Sequence, residues 1–412
     1  MKNFIAHTEE TRLNMLKELA CSSINDLFKQ IPVKFNNFNM ENPLSELETQ
    51  RQIKNLARKN GTEYSSFLGG GVYNKFIPAC VNYIAQRFEF LTAYTPYQPE
   101  ISQGTLQIIY EYQTLISRLT GMDIANASMY DGASACAEAI LMAHRIARGK
   151  KNTALVSNKI NPEYKEVIKT YCWAQNIQLE WFENLPAELE NYCCVLIQNP
   201  DYYGEIAELE KLNTTLIVVA NLSALSIIKP PTEADIVVGD IQPLGIAMSY
   251  GGPHAGFMAC KESYMRQLPG RLVGRTLDAD GNTAYTLTIQ TREQHIKREK
   301  ATSNICSNQS LIALSATLYM SLLGEEGFKQ TGIISAQNAH NLATALAKKG
   351  YKLLNTNFFN EFVIEVNNAD DFLAKLKQKN ILGGIKLNSS KILISATEMN
   401  TEEEIEAYIN AI

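Results

Sequence analysis

The sequence lacks an excess of positive charge, a long apolar run and any segment of strongly biased composition. Its 38 Lys and Arg residues stand against 43 Asp and Glu residues, which gives a formal net charge of −5, so we do not expect nucleic acid to be its main partner. No stretch approaches the ~18–20 apolar residues of a membrane-spanning helix. The first residues, MKNFIAHTEETRLNML, include acids where a signal peptide has its apolar core. We therefore expect a cytoplasmic protein with no membrane attachment.

The cysteines do not form the common zinc-binding pattern. The eight of them lie at positions 21, 80, 136, 172, 193, 194, 260 and 306, and no two form a C-x-x-C pair. Cys193 and Cys194 are adjacent in an apolar run, where a thiol of a cytosolic protein is usually buried and reduced. We expect reduced thiols and no metal site.

The length indicates more than one hydrophobic core, because 412 residues exceed an ordinary single domain. Residues 1–60 are expected to form a helical segment, since Ser45 and Glu48 have the spacing of a capping box and Gly61 follows. Residues 61–329 are expected to form a large domain. Residues 330–412, where short strand and helix patterns alternate, are expected to form a small α+β domain.

The middle of the chain alternates between helical and strand patterns. Helices are predicted from about Thr105 to Leu119, from about Gly132 to Arg148 and from Pro162 onward. The predicted strands are TALVS, IQLEWF, YCCVLIQ, TLIVVA, ADIVVG and part of GPHAGFMACK. Strands that alternate with helices form a largely parallel sheet. The predicted fold class is therefore α/β.

The segment SMYDGASACAEA, residues 128–139, has the composition of a helix N-terminus that receives an anion. Asp131, Gly132, Ala133 and Ser134 offer a cap and a close approach of the backbone. The simpler alternative is an ordinary N-cap. The spacing matches neither a Walker loop nor G-x-G-x-x-G, which argues against nucleotides and leaves pyridoxal phosphate (PLP) as the phosphate cofactor usual on a large α/β sheet.

The residues that define PLP chemistry are missing at the expected places. A PLP enzyme needs a lysine for the Schiff base and an acid to protonate the pyridine nitrogen. The acid is expected at the end of TLIVVA, where Val218 and Val219 stand, and no lysine lies between Lys229 and Lys261. The sequence therefore predicts the frame of a PLP enzyme without its two essential side chains.

Several longer motifs together resemble one family. They are SMYDGASACAEA, SYGGPHAGFMA, LPGRLVGRT and TREQHIKREKATSNICSNQ, with FLGGGVYNKFIP and AYTPYQPEISQGTLQ nearer the N-terminus. From about residue 5 to the C-terminus, and in family order, the chain resembles the glycine cleavage system P-protein, specifically the alpha subunit (subunit 1) of the two-chain form. The resemblance implies a PLP-dependent transferase fold of type I, like aspartate aminotransferase, with a mainly parallel sheet in the large domain and a small α+β C-terminal domain.

The resemblance also implies a division of labour between two chains. The beta subunit would hold PLP and the Schiff-base lysine, whose position falls near Pro243 here. The complex would decarboxylate glycine and pass the aminomethyl group to the lipoyl arm of H-protein, with glycine dehydrogenase (aminomethyl-transferring) activity. We expect an α2β2 assembly in which this chain has no catalytic residue of its own, carries a degenerate phosphate turn at 131–134 and is inactive alone.

The candidate contacts to the partner lie in polar and aromatic loops. The candidates are Tyr94, Tyr97, Gln98 and Gln103 in AYTPYQPEISQG and Thr302, Ser303 and Asn304 in ATSNIC. A tyrosine in the first loop could stack on a cofactor or bond a small carboxylate, and the second loop could reach a phosphate. Loop packing and a helix cap are the respective alternatives. Tyr97, between two prolines in TPYQP, is the first choice for a pocket role.

Three further features leave alternatives open. His254 could stack or relay a proton, or have a structural role. Residues 69–71, three glycines, could line a shared cleft or only form a turn. The segment between Gly384 and Ile392 is shorter than in family members, and a shortened surface loop is the simple interpretation. Two rival functions remain: a self-sufficient PLP lyase or aminotransferase, which the missing lysine opposes, and a non-catalytic scaffold or binding protein with a degenerate fold.

Overall fold

The computed structural model describes residues 8–32, 40–61, 63–91, 93–305 and 308–412, which fall into two units, Met1–Thr62 and Glu63–Ile412. Cys306, one of the expected reduced thiols, lies outside the described residues. The α-helices are α1 (Glu9–Glu18), α2 (Glu46–Ala57), α3 (Ala79–Ala85), α4 (Phe88–Leu91), α5 (Gln103–Thr120), α6 (Gly132–Ile146), α7 (Pro162–Ala174), α8 (Gln294–Lys297), α9 (Ser310–Lys348), α10 (Ala369–Lys377) and α11 (Glu402–Asn410).

The strands follow in the same chain order. They are β1 (Ser65–Ser66), β2 (Ile124–Ala125), β3 (Thr153–Ser157), β4 (Gln178–Phe182), β5 (Tyr192–Asn199), β6 (Thr215–Ala220), β7 (Ile236–Asp240), β8 (Gly256–Cys260), β9 (Leu272–Leu277), β10 (Thr283–Thr288), β11 (Lys352–Leu353), β12 (Glu361–Glu365), β13 (Ile381–Leu382), β14 (Ile385–Lys386) and β15 (Lys391–Ser395).

The helices of the first unit begin at side-chain caps. The Thr8 hydroxyl accepts a hydrogen bond from the Thr11 N–H at the start of α1, at 3.2 Å. At the start of α2, Ser45 and Glu48 form the reciprocal capping box that their spacing predicts. These caps satisfy backbone N–H groups that have no partner inside the helix.

The second unit contains a seven-stranded sheet in the order β2-β8-β7-β6-β5-β3-β4. Strands β7, β6, β5, β3 and β4 run parallel, and β8 runs antiparallel to both of its neighbours. Each predicted strand of the middle region is present, and β8 is the return strand predicted in GPHAGFMACK. The mainly parallel sheet is therefore confirmed.

Both faces of this sheet are covered, which explains why its central strands are apolar without alternation. On one face, Val218 and Val237 pack in a core that includes residues of α5 and the first part of α9. On the other face, Val219 and Val238 pack in a core that includes residues of α6 and α7. Neighbouring residues of one strand thus belong to different cores, as the period of two requires.

A hairpin of β9 and β10 lies beside this sheet, and the sequence analysis did not predict it. Its strands pair antiparallel from Leu272–Thr288 to Leu277–Thr283. Val273 and Leu287 pack with Leu106 and Ile109 of α5 in a small separate core. The hairpin therefore packs against the first half of α5.

The C-terminal part of the chain forms a third core. Strands β11, β12, β15 and β14 form an antiparallel sheet in that order, and Phe362, Leu376 and Tyr408 lie in the core that it shares with α9, α10 and α11. Phe67, which follows β1, packs in the same core. Helix α9 extends through residues 329 and 330 and is interrupted at Gly324, whose φ is 62°. The predicted division at 329/330 stays a prediction.

Candidate functional site

A small cavity lies where β6 and β7 end and α6 begins. This is the edge of a parallel sheet at which α/β proteins usually bind their ligands. The cavity has a volume of about 40 Å³, and its lining includes Gly71, Tyr73, Val219, Asp240 and Pro243. Pockets for small molecules usually measure about 300–1,000 Å³. A space of this volume is large enough for a water molecule and too small for a cofactor.

The predicted anion turn carries anions from this chain itself. Asp131 is the N-cap of α6, and its carboxylate accepts a hydrogen bond from the Ser134 N–H at 2.7 Å. In return, the Ser134 hydroxyl accepts a hydrogen bond from the Asp131 N–H at 3.2 Å. The Gly132 N–H donates to the Asp240 carboxylate at 3.1 Å. Two in-chain carboxylates therefore occupy the N-terminus of α6, where a phosphate would be expected to bind.

Asp240 comes to the turn from the last position of β7. Its carboxylate also accepts from the Gln242 N–H at 2.8 Å. Burial raises the pKa of Asp240 to about 6, and the two backbone N–H groups and the charge of His254 act in the opposite direction. The carboxylate is therefore enclosed and stabilised by the same kind of N–H donors that bind phosphate elsewhere.

Tyr164 of α7 closes the remaining space in front of the turn. A Cβ at position 132 would overlap the phenolic oxygen of Tyr164, so that only glycine fits there. Burial raises the pKa of Tyr164 well above its usual range, which keeps the phenol neutral. The glycine thus serves close packing within the chain.

The two positions that would define a PLP site carry apolar residues. Val218 is fully buried in the core, Val219 lines the cavity, and Pro243 is buried on the cavity wall. Neither valine offers a charge for a pyridine nitrogen, and proline offers no amine. Together with the filled turn and the small volume, these residues do not fit bound PLP.

The three glycines at 69–71 are tied to the sheets on both sides. The Gly70 N–H and the Tyr73 hydroxyl both donate to Glu361 of β12, each at 2.5 Å. Burial raises the pKa of Glu361 to about 7, and these two hydrogen bonds oppose the shift. The Gln242 side chain accepts from the Tyr73 N–H and donates to the Tyr73 carbonyl, at 2.9 Å each. The segment thus forms a wall of the cavity at Gly71 and takes a turn with positive φ at 70 and 71.

Tyr97 is held by Arg271, the residue that directly precedes β9. Its ring is 48% exposed, and its hydroxyl accepts from Arg271 at 3.2 Å. The Arg271 guanidinium also lies 5.4 Å from the centre of the ring, while Glu293 is 3.9 Å from Arg271. The His295 ring meets the Tyr97 ring edge-on at 5.5 Å. The tyrosine is therefore fixed on one side and open on the other, and its own O–H proton can still donate.

The other predicted residues of this loop differ in availability. Tyr94 is 85% exposed and Gln98 is exposed, so both are open to a partner. Gln103 is fully engaged, since its amide donates to the carbonyls of Pro99 and Tyr285 and accepts from the Tyr285 N–H. Gln103 connects α5 to β10, so its structural role in this chain is clear.

The segment 302–304 lies next to α6 and to the segment that carries His295. Ser303 interacts with Glu138 of α6 through its hydroxyl, which also accepts from the Ile305 N–H at 3.0 Å. The Thr302 N–H donates to the Arg292 carbonyl, and Asn304 is exposed. The structure thus connects this segment with the Tyr97 loop through the residues around His295. His254, partly exposed, faces the Met248 carbonyl at 3.3 Å.

Comparison with known proteins identifies the family. Residues 2–412 match the family described as glycine cleavage system P-protein. This chain belongs to that family.

Related proteins match this chain over almost its whole length. A Geobacillus thermodenitrificans protein named "Probable glycine dehydrogenase (decarboxylating) subunit 1" is 44% identical over 444 aligned positions, which cover 100% of this chain and 98% of that protein. A crystal structure of glycine decarboxylase (P-protein) of the glycine cleavage system, in inhibitor-bound form, has a TM-score of 0.86 at 38% identity and covers 99% of both chains. The predicted function, the alpha subunit of a glycine-cleaving P-protein, is confirmed, as is its enzyme class.

A more distant structure supports the fold alone. Glutamate decarboxylase of Lactobacillus brevis has a TM-score of 0.67 at 12% identity over 92% of the P-protein chain. The predicted fold class, the PLP-dependent transferase fold of type I, is confirmed by these neighbours. Among the described residues, no helix of the P-protein chain is both long and apolar enough to span a membrane. The same residues contain no group of three or more His, Cys, Asp or Glu side chains arranged to hold a metal ion.

Several residues that organise the site were not predicted from the sequence. Asp240 has a recognisable signal, because it is a charged residue at the last position of a buried strand, at the edge of the sheet where ligands bind. Arg271 and Glu293 lie within the family motifs but were not selected, since no spacing in the sequence connects them with Tyr97. Glu361 begins a buried strand, where a carboxylate is rare unless it has a partner.

Proposed function

We propose that this chain acts as the non-catalytic subunit 1 of a glycine dehydrogenase (decarboxylating) and completes an active site located mainly on subunit 2. Subunit 2 would hold PLP and its lysine, the lipoyl group of H-protein would be the co-substrate, and the assembly would be α2β2. The observation that carries the proposal is the filled site: a cavity of about 40 Å³ with Asp240 at the anion position and Pro243 at the lysine position. A chain that cannot hold the cofactor contributes by shaping the site of another.

The aromatic surface around the Tyr97 loop supports a partner at this face. Phe76, Tyr83, Phe88, Tyr94 and Ile101 are each more than half exposed, between 57% and 85%. Exposed apolar patches of this kind usually mark protein–protein interfaces, and aromatic residues are enriched at interface centres. The proposed partner at this face is subunit 2.

Within the assembly this chain would bind and orient. The candidates most open to a partner are Tyr94, Tyr97, Gln98 and Asn304, while Thr302 and Ser303, next to Asn304 in sequence, are partly buried. Arg271 holds the Tyr97 ring and leaves its O–H proton available, so Tyr97 would position a carboxylate or exclude water at the partner's site. PLP, when bound to subunit 2, supplies the electron sink for decarboxylation. The N-terminus of α6 would stay capped by Asp131 and Asp240 throughout.

The test is co-expression with a candidate subunit 2. We expect the pure chain to show no exchange between the carboxyl carbon of glycine and CO2, and the assembled complex to show exchange that depends on both chains. Borohydride reduction in the presence of PLP should fix the cofactor to a lysine of subunit 2. A PLP adduct mapped to a lysine of this chain would refute the proposal. Activity of subunit 2 alone equal to that of the complex would favour the scaffold alternative.

A further inference from the structure

A second cavity, much larger than the one at α6, lies between the two sheets of the second unit. Its volume is about 700 Å³, within the range of small-molecule pockets. Its lining comes from the residues that follow β3 and β5, from the connection between β11 and β12, and from the hairpin of β14 and β15. We refer to it as the lysine pocket, after Lys159, Lys386 and Lys391 in its wall.

The carboxylates of the lysine pocket are already engaged by this chain. Asp201 accepts from the Tyr203 and Glu205 N–H groups, at 2.9 and 3.0 Å. Glu205 accepts from the N–H and hydroxyl of Thr356, at 3.0 and 2.5 Å, and from the Asn357 N–H at 3.2 Å. Both oxygens of Glu205 and one oxygen of Asp201 therefore accept hydrogen bonds from within this chain.

The lysines of the pocket are not equally engaged. Lys386 forms a salt bridge with Asp370 at 2.6 Å. Within the described part of the chain, the ammonium groups of Lys159 and Lys391 form no hydrogen bond and no salt bridge. Burial raises the pKa of Asp201, and the nearby charge of Lys159 partly opposes that shift. The ammonium groups of Lys159 and Lys391 at the cavity wall thus remain available to an anion, while Glu205 is held by three hydrogen bonds and Asp201 by two.

The remaining wall is apolar and partly aromatic. Tyr202 and Tyr203 meet edge to face with 5.5 Å between ring centres, and Pro162, Leu354 and Val363 add aliphatic surface. A flat apolar body can pack against such a wall while its charged end stays near the lysines. The pocket is separate from the α6 cavity, because Gly70 contacts Tyr202 and Ile385 on one side of the glycine segment while Gly71 lines the α6 cavity on the other.

We propose that the lysine pocket binds a small organic anion, a carboxylate or phosphate monoester attached to a flat apolar group, with Lys159 and Lys391 holding the charge and Tyr203 contacting the body. This site goes beyond the proposed subunit function and depends on neither PLP nor a partner chain. Because Lys159 is exposed and Lys391 is partly exposed, salt screens their charges and binding weakens as salt is added.

The experiment uses the full chain and two probes, phenyl phosphate and benzoate, titrated by calorimetry, with neutral benzyl alcohol as the uncharged counterpart. We expect both anions to bind and benzyl alcohol not to bind. The double variant Lys159→Gln/Lys391→Gln should weaken both anions by at least about tenfold, as loss of two charge contacts requires. The control Lys375→Gln, an exposed lysine on α10 outside the pocket, should leave affinity within about twofold.

A third variant separates the two halves of the pocket. Tyr203→Ala should weaken the binding of phenyl phosphate but leave the affinity for inorganic phosphate unchanged. The reason is that the Tyr203 ring would contact the phenyl group of the ligand and not its phosphate. Tighter binding of phenyl phosphate than of benzoate would identify phosphate esters as the ligand class, and the reverse would identify carboxylates. Absence of binding by both probes at millimolar concentration, or equal binding by the wild type and the double variant, would overturn the proposal. Neither result bears on the glycine exchange assay, so the two proposals fail separately.

Discussion

Replacement of Asp240 by asparagine tests whether an internal carboxylate occupies the anion position at α6. The substitution keeps the size of the side chain and removes its charge. In the folded protein, burial raises the pKa of Asp240 from 3.8 to about 6. The unfolded chain has no such burial, so the folded state binds the proton more tightly than the unfolded state.

The sign of the effect follows from that order of pKa values. Well below pH 3.8 the carboxyl is protonated in both states, and its ionisation does not affect stability. As the pH rises from about 4 to about 6, the unfolded state loses the proton first, and the free energy of unfolding of the wild type falls. The total fall from this group is about 3 kcal/mol, since a pKa difference of one corresponds to about 1.4 kcal/mol. Above pH 6 the contribution is constant.

The variant lacks this group, so its stability relative to the wild type should increase by up to about 3 kcal/mol between pH 4 and pH 7. The measurement is urea unfolding of both proteins at pH 4, 5, 6 and 7, followed by circular dichroism. Asp123→Asn, which removes an exposed carboxylate that accepts from the Glu262 N–H, corrects for the change in net charge. A stability difference between Asp240→Asn and wild type that stays constant over this range would show that Asp240 is not buried at the turn.

Three further predictions test other parts of the structure. Tyr97→Phe should lower glycine turnover of the assembled complex modestly, by about 1 kcal/mol in transition-state stabilisation, and Tyr97→Ala should lower it more. If kcat and KM were unchanged in Tyr97→Ala, the side chain would serve only to pack the loop. Glu398→Ala removes the charged partner of the buried Lys75, which lies 2.6 Å away, and leaves only the Ser335 hydroxyl as its hydrogen-bond acceptor. Thermal unfolding should therefore reveal a loss of about 3–5 kcal/mol, and a loss below about 1 kcal/mol would show that water reaches the lysine. Gly256→Ala places a Cβ against the backbone carbonyl of Asp131 at the start of α6 and should lower the free energy of unfolding by about 1–3 kcal/mol. Gly104→Ala, which has open space in the first turn of α5, should leave stability unchanged or raise it. Equal effects of the two substitutions would contradict the packing at Gly256.

The elements of the large sheet could be predicted because their signals are local. The strands β3, β5, β6 and β7 are continuous apolar runs, and Pro162 and Gly121 lie at the ends of helices where their backbone preferences place them. The capping box at Ser45 depends on four adjacent residues only. Such features need no knowledge of the rest of the fold.

The organisation of the site could not be predicted in the same way, because its contacts join distant parts of the chain. The Gly132–Asp240 hydrogen bond spans 108 positions, and the Arg271–Tyr97 bond spans 174. The β9–β10 hairpin was missed because its alternation is weak and its outer strand residues are exposed. The pocket roles of the interface candidates Tyr94, Tyr97, Gln98, Gln103, Thr302, Ser303 and Asn304 remain predictions. The side chain of Gln103 hydrogen-bonds within this chain, a pairing with Tyr285 that its sequence position did not indicate.

The filled turn at α6 also limits how this chain could change over evolutionary time. Restoring a lysine by Pro243→Lys would bring an amine to a space of about 40 Å³ in which Asp240 still holds the Gly132 N–H. Restoring the acid at Val218 or Val219 would place a charge in or beside the apolar core before any cofactor was there to pair with it. Each reversal alone is neutral or harmful, and only their combination with removal of Asp240 recreates a cofactor site. The proposed division of labour between the two kinds of chain would therefore be hard to undo by single substitutions.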